Sequence, residues 1–195
     1  MNRPSIDLYF MRMASVASTL ATCPRKSVGA VIVRNKRIVA TGYNGSIGGQ
    51  PHCEDAGCMM EDGHCIRTIH SEANAILQAA RTGMNIEGCA IYVTASPCFN
   101  CFKLIANSGL VAIYFGEFYR EKRIHDYAEK AGIALIEDCA HAFFGRFSKS
   151  GSEFCLVAAM NSPQCGQTLS LSFTMPFGRA ASSHGDAVTG ASGTS

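Results

Sequence analysis

The sequence predicts an α/β fold of three layers, α/β/α, around a five-stranded mixed sheet. Three observations predict it: an early pair of β-branched runs, three later short apolar runs, and segments of helical periodicity between them. Ser5 is placed to cap a first helix, whose apolar positions Ile6, Tyr9, Phe10, Met13, Ala17 and Leu20 recur at helical spacing up to the break at Cys23-Pro24. Val28 to Val33 and Ile38 to Tyr43 flank the polar Arg34-Asn35-Lys36-Arg37 and read as an antiparallel hairpin. From Asn44 to Thr68 the chain is rich in Gly, Asp, His and Cys without a period, a long irregular loop that needs something to hold it.

His70 to Arg81 then carries good helix formers, with Ala73, Ile76, Leu77 and Ala80 on one face and Gly83 as a stop. Three strands follow, Ala90 to Ala95, Val111 to Gly116 and Ile133 to Glu137. The segments between them, Pro97 to Asn107 and Arg120 to Ala131, are read as helices, the second from the spacing of Ile124, Tyr127, Ala128 and Ala131. Parallel neighbours need crossover connections, so a hairpin followed by βαβ units gives a mixed sheet with helices on its faces. Residues 1–146 are expected to form one domain. From 147 to 195 the chain turns to Ser, Gly and Ala without a lasting period and is expected to be a flexible extension.

A hydrophobic fraction of 47% against 16% charged suits one domain with a substantial core. The net charge of +2 offers no basic groove for a polynucleotide, so nucleic acid is not an expected partner. Asp7 and Arg12 interrupt the N-terminal apolar stretch, so neither an export signal nor a membrane span is expected there, and the chain is placed in the cytoplasm. In a reducing compartment the ten cysteines read better as metal ligands than as a disulfide framework. They cluster with histidine at Cys53, Cys58, His64 and Cys65 and again at Cys98 and Cys101, while Cys89 and Cys139 lie in apolar runs as small core residues.

Two short motifs carry the chemistry: His70-Ser71-Glu72 and Pro97-Cys98-Phe99-Asn100-Cys101, each opening a helix. Pro97 suits a first helical position, and Cys98 and Cys101, three apart, then share one helical face. A helix N-terminus also favours the thiolates that zinc needs. Residues two apart on a regular helix diverge, so His70 must sit at the helix lip for its imidazole and Glu72 to share a site. One imidazole and two thiolates leave the fourth tetrahedral position of a Zn²⁺ ion open for water, whose pKa falls toward roughly 7 there. Glu72 is the candidate to take that proton, protonate the ring nitrogen of a substrate and help ammonia leave.

His-x-Glu with Pro-Cys-x-x-Cys is the signature of zinc-dependent base and nucleotide deaminases. Over about residues 5–140 the sequence resembles the cytidine and deoxycytidylate deaminase family, most closely its deoxycytidylate (dCMP) deaminases. The matching blocks are Asp7 to Met11, Cys23 to Val33, Thr41 to Ser46, Thr68 to Ile76, and Tyr92 to Thr94 leading into the cysteine motif. Ser71 departs from the family's usual Ala. The resemblance implies a cytidine-deaminase-like α/β/α fold, Zn²⁺ on His70, Cys98 and Cys101, and hydrolytic deamination of dCMP to dUMP and ammonia, feeding dTMP synthesis. It also implies that Arg25 or Lys26, Asn44 and Tyr119 grip the nucleotide, that dCTP activates and dTTP inhibits near the intact Gly42-Tyr43-Asn44-Gly45 loop, and that the chain forms a homohexamer. Some relatives carry a second zinc, for which Cys23, Cys53 and Cys65 would serve with Cys58 or His64 as fourth ligand.

Other deaminases of cytosine or purine compounds, the tRNA-adenosine type among them, share the metal motif but not the Cys23 to Val33 and Gly42 to Gly45 blocks. A non-catalytic zinc-stabilised binding module would have no need of Glu72.

Overall fold

The computed structural model describes residues 3–137, together with the backbone of 146–150 and 153–157. In chain order the elements are α1 (Ile6–Ser18), β1 (Gly29–Arg34), β2 (Arg37–Tyr43), β3 (Gly45–Ser46), α2 (Cys53–Ala56), β4 (Met60–Glu61), β5 (His64–Cys65), β6 (Thr68–Ile69), α3 (Ser71–Arg81), β7 (Ala90–Ala95), α4 (Phe99–Asn107), β8 (Ala112–Glu117), α5 (Arg123–Ala131), β9 (Ala134–Glu137), β10 (Arg146–Ser150) and β11 (Glu153–Val157). The main sheet has five strands in the order β2-β1-β7-β8-β9, with β1 antiparallel to both neighbours and β7, β8 and β9 parallel. This is the mixed sheet the sequence predicts.

The central strands are apolar on both faces because both are covered. Alternation sends Val31, Val33 and Tyr92 to one side, where Phe10, Met11 and Ala14 of α1 meet them. It sends Ala30, Ile32, Ile91 and Val93 to the other, against Ala75 and Ala79 of α3, Phe102 and Ile105 of α4, and Ile124 and Ala128 of α5. Gly132, at φ +67°, ends α5 in the left-handed conformation that glycine adopts without penalty.

Ser5 caps α1, accepting from Leu8 N–H at 3.1 Å. The buried face of α1 is not the predicted stripe. Phe10, Met11, Ala14, Ser15 and Ser18 face inward, whereas Ile6, Tyr9 and Leu20 are exposed. A Cβ on Gly29 would stand 2.0 Å from Ala14 O and 2.5 Å from Ser18 N, so this helix lies close on the sheet there and position 29 has no room for a side chain. The two serine hydroxyls satisfy themselves on the backbone, Ser15 Oγ donating to Met11 O at 3.1 Å and Ser18 Oγ to Ser15 O at 2.7 Å, which lets polar residues occupy a buried face. The same correction applies to α3, which buries Ser71, Glu72, Ala75 and Ala79 and leaves Leu77 and Ala80 exposed. In α5, Ile124 and Ala128 are buried but Tyr127 and Ala131 are exposed.

The segment Asn44 to Thr68 is less irregular than predicted. Gly45 pairs with Ile69 and Ser46 with Thr68, so the two ends of the loop close on one another, and within it lie the single turn α2 and the two-residue ladder β4-β5. Arg67 Nε donates to Gly57 O at 3.0 Å across it. Farther on, β10 pairs antiparallel with β11, Arg146 opposite Val157. Cys139 lies outside the described residues, as do residues 151, 152 and 158–195 of the expected extension. Among the described residues no helix is long and apolar enough to cross a membrane.

Candidate active site

The site gathers where α3 and α4 begin. His70 is the N-cap of α3, with extended backbone at φ −70° and ψ 155°, and its carbonyl accepts the first helical bond from Asn74 N–H at 2.9 Å. Its side chain makes no capping bond, so the imidazole is free to face α4. Cys98 is the N-cap of α4 with backbone at φ −70° and ψ 165°, and its Sγ accepts from Cys101 N–H at 3.5 Å. Pro97 therefore precedes the cap rather than taking the predicted first helical position, because the thiol itself caps the helix.

His70 Nδ1 lies 3.5 Å from both Cys98 Sγ and Cys101 Sγ. A zinc ion bound at about 2.0–2.1 Å to nitrogen and 2.3 Å to sulfur in tetrahedral geometry sets its N and S ligands about 3.6 Å apart, so these residues fit the ion. A hydrogen bond from Cys101 and the neighbouring His70, against the effect of burial, bring the Cys98 thiol down to about 4. Cys101 is pushed up, first by sharing that charge with Cys98 and then by burial. His70 is raised by its bond to Cys98. The trio thus holds one ready thiolate on Cys98 and a proton on Cys101 that a cation would displace.

Glu72, in the first turn of α3, is 4% exposed, and burial lifts its carboxyl above the ordinary glutamate value. Ser71 Oγ donates to Glu72 Oε2 at 2.9 Å. Both residues line a cavity of about 260 Å³ together with His70, Cys98, Arg25, Lys26, Asn44, His64 and Tyr119.

At the cavity's cationic side, Lys26 Nζ lies 4.6 Å from the centroid of the Tyr119 ring and 3.5 Å from Glu117 Oε2. Arg25 Nη1 donates to Gly63 O at 3.1 Å and reaches Met60 Sδ at 3.1 Å. Asn44 is buried and uses both ends of its amide on the backbone: Oδ1 accepts from Val28 N–H at 2.7 Å and Nδ2 donates to Lys26 O at 2.8 Å. All four residues singled out for the nucleotide therefore share one cavity. Sequence reasoning missed Ser96, which is 3% exposed and whose Oγ accepts from Tyr119 N–H at 2.6 Å, fixing the start of the loop after β8. It also missed Arg120, whose Nη2 lies 2.9 Å from both ring nitrogens of His64 and 2.8 Å from Tyr119 Oη. The basic stretch Arg120 to Arg123 was a visible signal for the second; nothing in the sequence marked the first.

A second cluster lies beside the cavity. The thiols of Cys23, Cys53, Cys58 and Cys65 all fall within 4.8 Å of one another, with Cys53 Sγ 3.5 Å from Cys65 Sγ and Cys23 Sγ 3.9 Å from Cys58 Sγ. Those separations bracket the edge of about 3.8 Å that 2.3 Å bonds to a tetrahedral zinc would give. Cys58 completes the set, whereas His64 turns to Arg120. Burial and a hydrogen bond with Cys65 push Cys53 up to about 12. Burial also acts to raise Cys65, but bonds from the Arg67 and Met59 backbone and from Cys53 outweigh it and bring that thiol to about 7.

Residues 4–117 match the family described as the cytidine and deoxycytidylate deaminase zinc-binding region. ComE operon protein 2 of Bacillus subtilis (strain 168) is 48% identical over 139 residues, 69% of this chain and 72% of that protein. The deoxycytidylate deaminase of Saccharomyces cerevisiae is 34% identical over 140 residues, 68% of this chain, which spans only 45% of the yeast protein. The crystal structure of the dCMP deaminase from the cyanophage S-TIM5, in complex with dCMP and dUMP, superposes with a TM-score of 0.63 at 31% identity, covering 71% of this chain and all of that one.

Proposed function

Because the chain belongs to the cytidine and deoxycytidylate deaminase family, we propose that it is a zinc-dependent enzyme that deaminates dCMP hydrolytically to dUMP and ammonia. One observation carries the reading: His70, Cys98 and the buried Glu72 line the same cavity as Arg25, Lys26 and Tyr119, with Cys101 grouped beside His70 and Cys98. The names of the yeast and cyanophage relatives support dCMP as the substrate.

His70, Cys98 and Cys101 would hold the metal, which supplies an acidified water at neutral pH when bound. Glu72 would accept one proton from that water and pass it to the pyrimidine ring nitrogen, then take the proton remaining on the added hydroxyl and pass it to the departing amine. Burial favours its protonated form, which suits a group that must give a proton as well as take one. Asn44 clasps the backbone of Lys26 and Val28, so the cations at 25 and 26 are held toward the cavity to receive a phosphate, and Tyr119 can donate to the same group.

The same reading gives the four-thiol cluster a second, structural zinc that pins the long loop, and gives the chain a hexameric assembly in the cytoplasm, answering to dCTP and dTTP and feeding dTMP synthesis. A non-catalytic binding module leaves the buried Glu72 unexplained, since a desolvated carboxylate costs stability. The decisive experiment is an ammonia-release assay on dCMP, CMP, deoxycytidine and dCTP, with and without dCTP as effector. Preference for dCMP over deoxycytidine is expected; equal efficiency on the two would sink the phosphate clamp, and no release from any would sink the enzyme.

A further inference from the structure

We propose that Ser71 is a positioning residue for the proton-carrying carboxylate: its hydroxyl, donating to Glu72 Oε2 at 2.9 Å, fixes which carboxylate oxygen faces the reacting groups. This rests on the deaminase reading for the identity of the reaction, but the geometry stands without it.

Neighbouring residues on a helix do not ordinarily face one another. For Ser71 and Glu72 to bond, the Glu72 side chain must fold back toward the residue before it, at the open first turn of α3. Ser71 is wholly buried and Glu72 nearly so, so neither group can exchange this bond for one with bulk water. Glutamate has three side-chain torsions, and a buried carboxylate held only at its Cα would sample several of them. The Ser71 hydroxyl tethers one oxygen. The other oxygen is left to carry the proton between the water and the substrate ring, two positions that a freely rotating group would serve poorly.

Ser71 also lines the cavity with Glu72, His70 and Cys98, so its bond to Glu72 is made at the site and not in the distant core. Ser71 need not touch the substrate. Its effect passes through Glu72, and the signature is a loss in kcat without a matching change in KM.

The test compares Ser71→Ala and Ser71→Thr with the wild-type chain. Ser71→Ala is expected to lower kcat about 10-fold, equivalent to about 1.4 kcal/mol, with KM within about twofold and zinc per chain unchanged. Ser71→Thr keeps the donor and is expected to recover most of the loss. In crystal structures the Glu72 carboxylate should occupy one conformer in the wild type and more than one in Ser71→Ala. A kcat for Ser71→Ala within about twofold of wild type, or a Glu72 that keeps its single conformer, overturns the proposal. Wild-type protein that releases no ammonia from any cytosine nucleotide overturns the deaminase reading instead, and the Glu72 conformers then decide the role of Ser71 alone.

Discussion

The side-chain oxygen of Asn44 accepts a 2.7 Å hydrogen bond from the backbone N–H of Val28, 16 residues earlier in the chain. With Nδ2 donating to Lys26 O, this one buried amide fastens the end of β2 to the segment that carries Arg25 and Lys26. Asn44→Ala leaves a partly buried N–H and a partly buried carbonyl without these partners and is expected to cost about 1–3 kcal/mol of stability. The same change frees the two cations, so KM for dCMP should rise more than kcat falls. Denaturant unfolding and steady-state kinetics measure the two effects; an unchanged KM would show that the amide does not organise the binding wall.

Glu72→Gln keeps the shape of the side chain and removes the proton carrier. Zinc content should be unchanged while kcat falls roughly 10²–10⁴-fold, the usual contribution of a positioned general acid–base group. Burial raises the Glu72 pKa, so the folded state binds this proton more tightly than the unfolded chain does. Stability from this group is therefore full below the ordinary value of 4.5 and declines as pH rises through the raised pKa. In metal-stripped protein at pH 7, Glu72→Gln should raise the melting temperature, and the gain should vanish in acid. A variant that melts no higher than wild type at pH 7 would contradict the cost assigned to the buried carboxylate.

Gly42 lies under the start of α3, where an added Cβ would meet Ser71 O at 2.2 Å and Ala75 N at 2.5 Å. Both are backbone atoms and cannot swing aside. Gly42→Ala must push α3 off the sheet, at an expected cost of about 1–3 kcal/mol or more. Since His70 and Glu72 ride on that helix end, activity should fall together with stability. Full activity in a folded Gly42→Ala chain would show that the helix can shift without moving the site.

Metal analysis should return two zinc ions per chain, and Cys58→Ser should return one. Cys58 is the natural choice because its side chain does not line the cavity, whereas Cys23 and Cys65 do. The loop from Ile47 to Arg67 should become sensitive to protease in this variant while kcat stays within about threefold, since a structural site orders chain and does no chemistry. One zinc in the wild type would remove the second site.

On the far face, Tyr92 Oη donates to Asp7 Oδ1 at 2.7 Å and its ring stacks on Tyr114 at 4.4 Å between centroids. Burial, and then the bond to Asp7, raise the Tyr92 pKa above its ordinary value of 10. The folded state thus keeps this proton longer than the unfolded chain, and stability is lost as pH climbs above 10. Tyr92→Phe should cost about 1–2 kcal/mol at neutral pH and flatten the alkaline decline. An alkaline limb as steep as the wild type's would place the titration elsewhere.

The sequence by itself determined the five strands of the main sheet, its mixed character and the candidate metal ligands His70, Cys98 and Cys101. Periods of two and of 3.6 residues are local, and His70-Ser71-Glu72 and Pro97 to Cys101 each lie within a single helix start. Only the tertiary structure decided which face of α1 and α3 is buried. The two helices lie close over Gly29 and Gly42, and their buried faces include serines that a hydropathy stripe counts as polar. It also chose Cys58 over His64 beside Cys23, Cys53 and Cys65, and paired Ser71 with Glu72, because direction in space and the partner left for each buried polar group are set by packing between distant segments, not by spacing along the chain.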